Sequence, residues 1–265
     1  MLAYRRGRNL HCGHMKHDGA SLKKKPGRHN AVDVDATSVP RATPRFVCIA
    51  SVYAAIALTF LEYFARPVFF EKNFPLASVA HFGLYPQLWW ALWTIALFLV
   101  VPAVLVRALF KQGLRDYGLN LAIKRQHWWL YLGLFAAVFP IVVLASRRPD
   151  FQNIYPFYRG AFQATTGTIL VWEIAYFTQF FALEFFFRGF LVLGLGRAIG
   201  RASIYVAMVP YCMLHYHKPP AEAFAAIVAG VVLGEVSYRT RSIAGGVIVH
   251  IGVAATMELL ALRVF

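Results

Sequence analysis

The sequence predicts an all-α protein, a polytopic transmembrane helix bundle with about seven spans. Hydrophobic residues fill 59% of the 265 positions, more than in an ordinary soluble domain. Apolar runs recur at about twenty residues, the length that crosses a hydrocarbon core of roughly 30 Å. Basic residues collect at the ends of these runs, as they do in membrane proteins.

Seven apolar runs account for the predicted spans. The fourth run is too long for one perpendicular span, and the fifth and sixth are short and joined by a tight link. Tryptophans near the run ends fit the aromatic belt of a membrane interface. The predicted spans are 46–65, 88–106, 128–146, 168–194, 202–216, 222–237 and 242–262.

The composition changes along the chain and predicts three regions. The first of them is rich in Lys, Arg and His, poor in large apolar residues and without periodicity, which is typical of a disordered tail. The predicted regions are a basic tail over 1–45, membrane helices and loops over 46–167, and a helix core over 168–262.

The net charge points to lipid rather than nucleic acid. It is +15, from 27 Lys and Arg against 12 Asp and Glu, and in a soluble protein this would suggest nucleic-acid binding. Here the basic residues flank apolar runs, so anionic lipid headgroups account for them. We therefore expect membrane lipids as partners, no nucleic acid, and a multi-pass protein of the bacterial inner (cytoplasmic) membrane.

Ionisable residues inside apolar runs indicate where the function lies, because burying such groups in a membrane is costly. They concentrate after residue 167. The candidates are Glu173, Glu184, Arg188, His215, His217, Glu222, Glu235, His250 and Glu258.

Glu184 and Arg188 lie four residues apart, on one helix face. One interpretation is structural: the two charges neutralise each other and fix the fourth helix to its neighbours. The other is catalytic: Arg188 keeps Glu184 ionised and oriented to take a proton from water.

Two histidines lie on other predicted spans. His215 follows Tyr211 by one helical turn, and His250 lies in the middle of the last span. A lone buried histidine is commonly a packing residue. Two histidines and a Glu on three helices can converge in the bundle interior. Such a cluster could position a water, bind a divalent metal or relay protons.

These residues occur in the order of a known motif set. Leu183-Glu184-Phe-Phe-Phe-Arg188, then Tyr211-x-x-x-His215, then His250, resemble the CPBP (Abi) family of intramembrane proteases. That family includes the type II CAAX prenyl proteases and the lysostaphin-resistance-like proteins. Its motifs run E-E-x-x-x-R, F-x-x-x-H and H-x-x-x-N or D.

The resemblance implies roles for these residues. Glu184 with His215 would activate a water for attack on a peptide carbonyl, His250 would stabilise the oxyanion, and Arg188 would orient Glu184. The sequence departs from the motifs at Leu183, where the family has its first Glu, and at Ala254, where it has an amide or carboxylate. The candidates to supply the missing carboxylate are Glu173, Glu222 and Glu258.

Cofactor and activity remain open at this level. One Glu and two His would suit zinc, with Glu184, His215 and His250 as its three ligands, and a metal-free mechanism is equally compatible. The leading hypothesis is an endopeptidase that acts on a peptide or protein substrate. A family member that binds a peptide or partner without cleaving it is the alternative. A transporter is disfavoured because the two halves show no inverted repeat.

The distribution of basic residues predicts the orientation of the chain. The tail and the 107–127 loop are rich in Lys and Arg, so both should face the cytoplasm.

Reporter fusions or protease accessibility should place the 107–127 loop inside the cell; an outside location would contradict this orientation.

Overall fold

The computed structural model describes residues 43–120 and 123–264, so all but the last three positions of the predicted tail lie outside the described residues. The described ranges contain helices and no β-strand, which confirms the all-α polytopic bundle. The longer helices are α1 (Pro44–Ala65), α2 (Leu84–Leu109), α3 (Arg125–Ala145), α4 (Thr166–Ile199), α5 (Ala202–Met213), α6 (Pro220–Thr240) and α7 (Ala244–Val264).

Short helical segments lie in the connections between these helices. They are Pro67–Asn73, Pro75–Ser78, Ala80–Gly83, Leu114–Tyr117, Pro149–Gln152 and Arg159–Phe162.

In the part of the chain that the structure describes, six helices are long and apolar enough to cross a membrane, and they fit an integral multi-pass membrane protein. The fifth predicted span corresponds to α5, a helix of only 12 residues. Its rise of about 18 Å is shorter than a hydrocarbon core of roughly 30 Å. In contrast, α4 has 34 residues and a length of about 51 Å. The seven predicted apolar runs are thus six full-length helices and one short helix.

The outer helices expose apolar side chains, whereas α4 is enclosed. In the apolar window of α3 only 11% of residues are buried, against 83% in α4. Ile141 and Leu144 on α3 are 62% and 65% exposed. Such a surface is compatible with lipid rather than water. α4 therefore forms the core around which the other helices pack.

Phenylalanines on α4 make its contacts with three neighbouring helices. Phe186 stacks on Phe98 of α2 with ring centroids 4.4 Å apart. Phe187 meets Tyr211 of α5 edge to face at 5.3 Å, and Phe190 meets a ring of α1 in the same way. Offset and edge-to-face arrangements are the favourable ones for aromatic rings. The aromatic run of the sequence motif therefore fixes the position of α4.

The middle of α4 requires a glycine. Its Phe185–Leu193 segment is π-helical and begins immediately after Glu184. Gly189 lies where the Leu114–Tyr117 turn crosses this segment, and a Cβ atom there would lie 2.5 Å from the Tyr117 carbonyl oxygen. Only glycine allows this close approach of two backbones.

The start of α7 is fixed by a short connection from α6. Arg241 ends α6 in the left-handed region with φ of 56°. The Ser242 hydroxyl then accepts a hydrogen bond from the Ala244 amide at 3.2 Å and donates one to the Asn120 carbonyl at 2.6 Å. This cap satisfies one free amide of the first turn and ties α7 to the connection before α3.

Replacing Gly189 by alanine should destabilise the bundle by about 2 kcal/mol, because the added methyl group overpacks the α4 crossing. Thermal unfolding of the purified protein in detergent measures this effect. The matched control is Gly133→Ala on α3, where a Cβ would meet nothing within 4 Å. Equal unfolding temperatures for the two variants would contradict the crossing described above.

Candidate active site

The Glu184 carboxylate lies fully buried inside the bundle. One of its oxygens is 2.9 Å from Nδ1 of His250 on α7. The other oxygen is 3.3 Å from Nε of Arg188, one turn further along α4. Because an ionised carboxylate only accepts hydrogen bonds, Nδ1 of His250 carries the proton in this contact. Three residues predicted for the site are therefore in direct contact.

Arg188 is almost as deeply buried, at 1% exposure. Its guanidinium carbon lies 4.1 Å from the centroid of the Tyr211 ring, a favourable position for a cation. None of its three side-chain nitrogens has a hydrogen-bond partner. The carboxylate of Glu184 and the ring face therefore provide the compensation that a buried charge requires. Both interpretations of the pair, structural and orienting, are compatible with this geometry.

Gly246 provides the space for the carboxylate. It lies one turn before His250 on α7, and a Cβ at this position would collide with Oε2 of Glu184. The glycine thus lets α7 approach α4 closely enough for His250 to reach Glu184.

His215 lies just beyond the end of α5 and is 7% exposed. Its Nδ1 is 3.0 Å from the backbone carbonyl oxygen of Tyr211. A carbonyl only accepts, so Nδ1 donates, and in the neutral ring Nε2 carries the lone pair. This arrangement gives His215 a lone-pair nitrogen of fixed direction. Burial, together with the nearby Lys218 charge, lowers the pKa of the ring to about 2, so the ring is neutral.

A cavity of about 310 Å³ is lined by both His215 and His250. Its size falls in the range of small ligand-binding sites. Apolar side chains of α1, α2 and α4 form much of its wall, and charged residues line part of it. The charged residues are Glu62, Arg66 and Lys218. Glu184 does not line the cavity, so the carboxylate reaches it only through His250.

The two departures from the motifs have different surroundings. Leu183, at the position of the missing Glu, lines the cavity wall. Ala254 is 3% exposed and packs in an apolar cluster with Trp172 and Phe180. A polar group at 183 would therefore face the cavity, whereas position 254 is filled by hydrocarbon contacts.

Glu222 makes hydrogen bonds outside the cavity wall. Both of its oxygens accept from the Tyr155 hydroxyl at 2.9 Å, and Lys218 donates to it at 2.7 Å. Burial and the nearby Glu222 raise the pKa of the Tyr155 hydroxyl well above its ordinary value, so this group remains a donor. Glu222 thus fastens the α3–α4 connection to the start of α6.

Glu258 and Glu173 also lie apart from the histidines. Glu258 accepts a hydrogen bond from the Phe157 amide at 3.1 Å, and so ties α7 to the α3–α4 connection. Glu173 precedes Glu184 by eleven residues, about 16 Å along α4. Neither residue lines the cavity, and neither is brought beside Leu183.

A three-ligand metal site is not preformed within residues 43–120 and 123–264, where no three His, Cys, Asp or Glu side chains are grouped to hold an ion. The reason lies in the Glu184 contacts. One oxygen faces Nδ1 of His250 and the other faces Arg188, so the lone pairs that a metal would need already face positive or donor groups. The residues as arranged therefore do not fit a zinc site with Glu184, His215 and His250 as its three ligands.

One polar residue at the cavity was missed by the sequence reasoning. Gln179 on α4 is 4% exposed and lines the cavity. The sequence prediction relied on ionisable residues in apolar runs, and it did not include Gln179 because an amide carries no charge. Its position, one turn before Leu183 on the same helix face, was the available signal.

Residues 165–256 match the family model described as Type II CAAX prenyl endopeptidase Rce1-like. This match confirms the resemblance to CPBP intramembrane proteases over that segment. The matched segment extends from the N-cap of α4 into α7 and includes Glu184, Arg188, Tyr211, His215 and His250. Comparisons with curated proteins and with solved structures gave no match.

Removing one charge of the buried pair should be strongly destabilising. Arg188→Met leaves the Glu184 carboxylate uncompensated and should lower the free energy of unfolding by about 3 kcal/mol. Adding Glu184→Gln should restore a large part of that loss, as measured by unfolding in detergent.

The matched control for this cycle is Arg66→Met, which removes a partly exposed partner of Glu62. An exposed ion pair contributes about 1 kcal/mol or less. An Arg188→Met variant no less stable than Arg66→Met would contradict a buried, mutually dependent pair.

Proposed function

We propose, from the Rce1-like match of residues 165–256, that the chain is an intramembrane endopeptidase that hydrolyses a peptide bond with an activated water. The observation that carries this proposal is the convergence of His215 and His250 on one cavity, with Glu184 behind His250. A family likeness alone would leave the location of the chemistry open.

His215 is the proposed general base. Its Nδ1 is committed to the Tyr211 carbonyl, so Nε2 is the nitrogen free to accept a proton from water. The water oxygen then forms a bond to the peptide carbonyl carbon as its proton passes to Nε2. When the tetrahedral intermediate collapses, the C–N bond breaks and the amine leaves with the proton from His215.

His250 is the proposed charged donor to the oxyanion. The Glu184 carboxylate accepts a hydrogen bond from Nδ1 and so fixes the orientation of the ring. When the ring also takes up a proton at Nε2, that N–H can donate to the developing negative charge. Glu184 therefore acts as a positioning residue through His250 rather than by direct contact with water. Nε of Arg188 lies 3.3 Å from the second carboxylate oxygen, so the guanidinium compensates the carboxylate charge.

The wall of the cavity supports a peptide with apolar side chains as substrate. Phe98, Phe180 and Leu183 form part of this wall. Charged residues such as Arg66 and Lys218 also line it and would meet polar groups of a chain at the membrane surface. The bacterial inner membrane and a cytoplasmic N-terminus remain predictions, the second supported by the basic 107–127 loop.

A second candidate function is peptide or partner binding without cleavage. Leu183 in place of the first motif Glu, and Ala254 packed among aromatic rings, support this alternative. Both hypotheses use the same cavity, and they differ in whether the bound peptide is hydrolysed.

Loss of the proposed base should abolish cleavage. The full chain in lipid nanodiscs would be incubated with a pool of apolar peptides, each with and without a farnesylated cysteine, and the products identified by mass spectrometry. His215→Ala should lower the rate by about 10²-fold or more and retain peptide binding. Glu184→Gln also leaves the Arg188 charge unpaired, so its rate is compared at equal amounts of folded, peptide-binding protein and should still be lower than that of the native chain.

The controls are His127→Ala and Glu71→Gln, which change the same residue types away from the cavity and should cleave like the native chain. Undiminished cleavage by His215→Ala would overturn the proposed mechanism. Peptide binding by the native chain with no cleavage of any pool member would favour the binding function.

A further inference from the structure

We propose that the side-chain amide of Gln179 donates a hydrogen bond to the carbonyl oxygen of the bound peptide. Gln179 would thus supply, from α4, the kind of neutral donor that the motif resemblance places on α7, where this chain has Ala254. The inference rests on the proposed function, because it assumes that the cavity binds a peptide.

The environment of Gln179 leaves its amide nitrogen unsatisfied. The residue is 4% exposed, it lines the cavity, and its Nε2 is buried without a hydrogen-bond partner. A buried NH₂ group without a partner is unfavourable. A carbonyl oxygen entering the cavity would provide that partner, so binding would remove an unfavourable feature of the free protein.

Gln179 belongs to the same face of α4 as the residues beside the histidines. Tyr176, Gln179, Phe180 and Leu183 all line the cavity and lie on successive turns of the helix. The Phe180 ring lies 4.5 Å from the His250 ring, measured between centroids. The Gln179 amide and His250 therefore face the same space, as two donors to one oxygen require.

Three other polar side chains of the cavity wall have hydrogen-bond partners, whereas Oε1 of Gln87, an acceptor, is buried without one. Nδ1 of His215 is held by a backbone carbonyl, and its Nε2 has the lone pair needed to accept a proton. The Thr94 hydroxyl donates to the Trp90 carbonyl at 2.8 Å, and Lys218 donates to Glu222. His250 can offer a proton at Nε2 only as imidazolium. Gln179 offers a donor whatever the charge of His250.

The chemistry of the amide defines its role. A carboxamide neither takes nor gives a proton at neutral pH, so Gln179 cannot replace the missing Glu as a base. Replacing it by Glu keeps the shape and removes the donor when the new group is ionised. If Gln179 donates a hydrogen bond to the peptide carbonyl, Gln179→Glu should weaken that interaction. If Gln179 instead accepts a hydrogen bond from water, Gln179→Glu should strengthen it.

The test uses two non-cleavable heptapeptides of apolar residues with a fluorescent label. One has a ketomethylene group in place of the central peptide bond, and the other has two methylene groups and thus no carbonyl oxygen. Binding to the full chain in nanodiscs is measured by fluorescence anisotropy for the native protein, Gln179→Leu and Gln179→Glu.

We expect Gln179→Leu to weaken binding of the ketone peptide about 5- to 10-fold and to leave the hydrocarbon peptide unchanged, which also shows that the variant is folded. Gln179→Glu should weaken ketone binding at least as much. Equal effects on both peptides, or unchanged ketone binding by either variant, would overturn the donor role.

Native protein that prefers the ketone peptide yet cleaves nothing would overturn the proposed hydrolysis and keep the donor role. If the native protein cleaves the peptide pool but binds the ketone and hydrocarbon peptides equally well, the donor role is overturned and the proposed hydrolysis stands.

Discussion

The contact between Glu184 and His250 is the interaction on which the rest of the site depends. It joins α4, the enclosed core helix, to α7, and it places the one carboxylate of the Leu183–Arg188 motif behind the cavity rather than in it. A carboxylate at this depth requires compensation. Arg188 supplies the charge, Tyr211 supports the guanidinium, and Gly246 leaves the necessary space.

This arrangement keeps the buried ion pair of Glu184 and Arg188 out of the cavity. The ion pair lies among aromatic rings, while the cavity is lined by imidazole rings, an amide, apolar side chains and a few charged residues. In a site of low dielectric, fixed charges act strongly on their neighbours. Glu184 can therefore influence the cavity through the imidazole of His250 without meeting solvent. The hydrogen bonds of Glu222 and Glu258 to the α3–α4 connection hold the surrounding frame in place.

The sequence was sufficient for the fold class and for the residues of the cluster, because apolar runs and buried ionisable groups are visible without coordinates. It did not predict the end of α5 at Met213, since the apolar run continues beyond it. The assignment of the Glu184 oxygens, the space left by Gly246 and the exposure of Gln179 to the cavity depend on how helices from distant positions pack. In helices that are apolar on all sides, periodicity does not indicate which face meets which neighbour.

The most direct test of this account is ¹⁵N NMR of the histidine-labelled chain in lipid, with His250 assigned by its replacement. The account predicts that His250 carries a proton on Nδ1 and that Glu184→Gln shifts this resonance strongly, because the charged acceptor is lost. A His250 protonated on Nε2 alone, with a spectrum that Glu184→Gln leaves unchanged, would contradict the pairing on which the site depends.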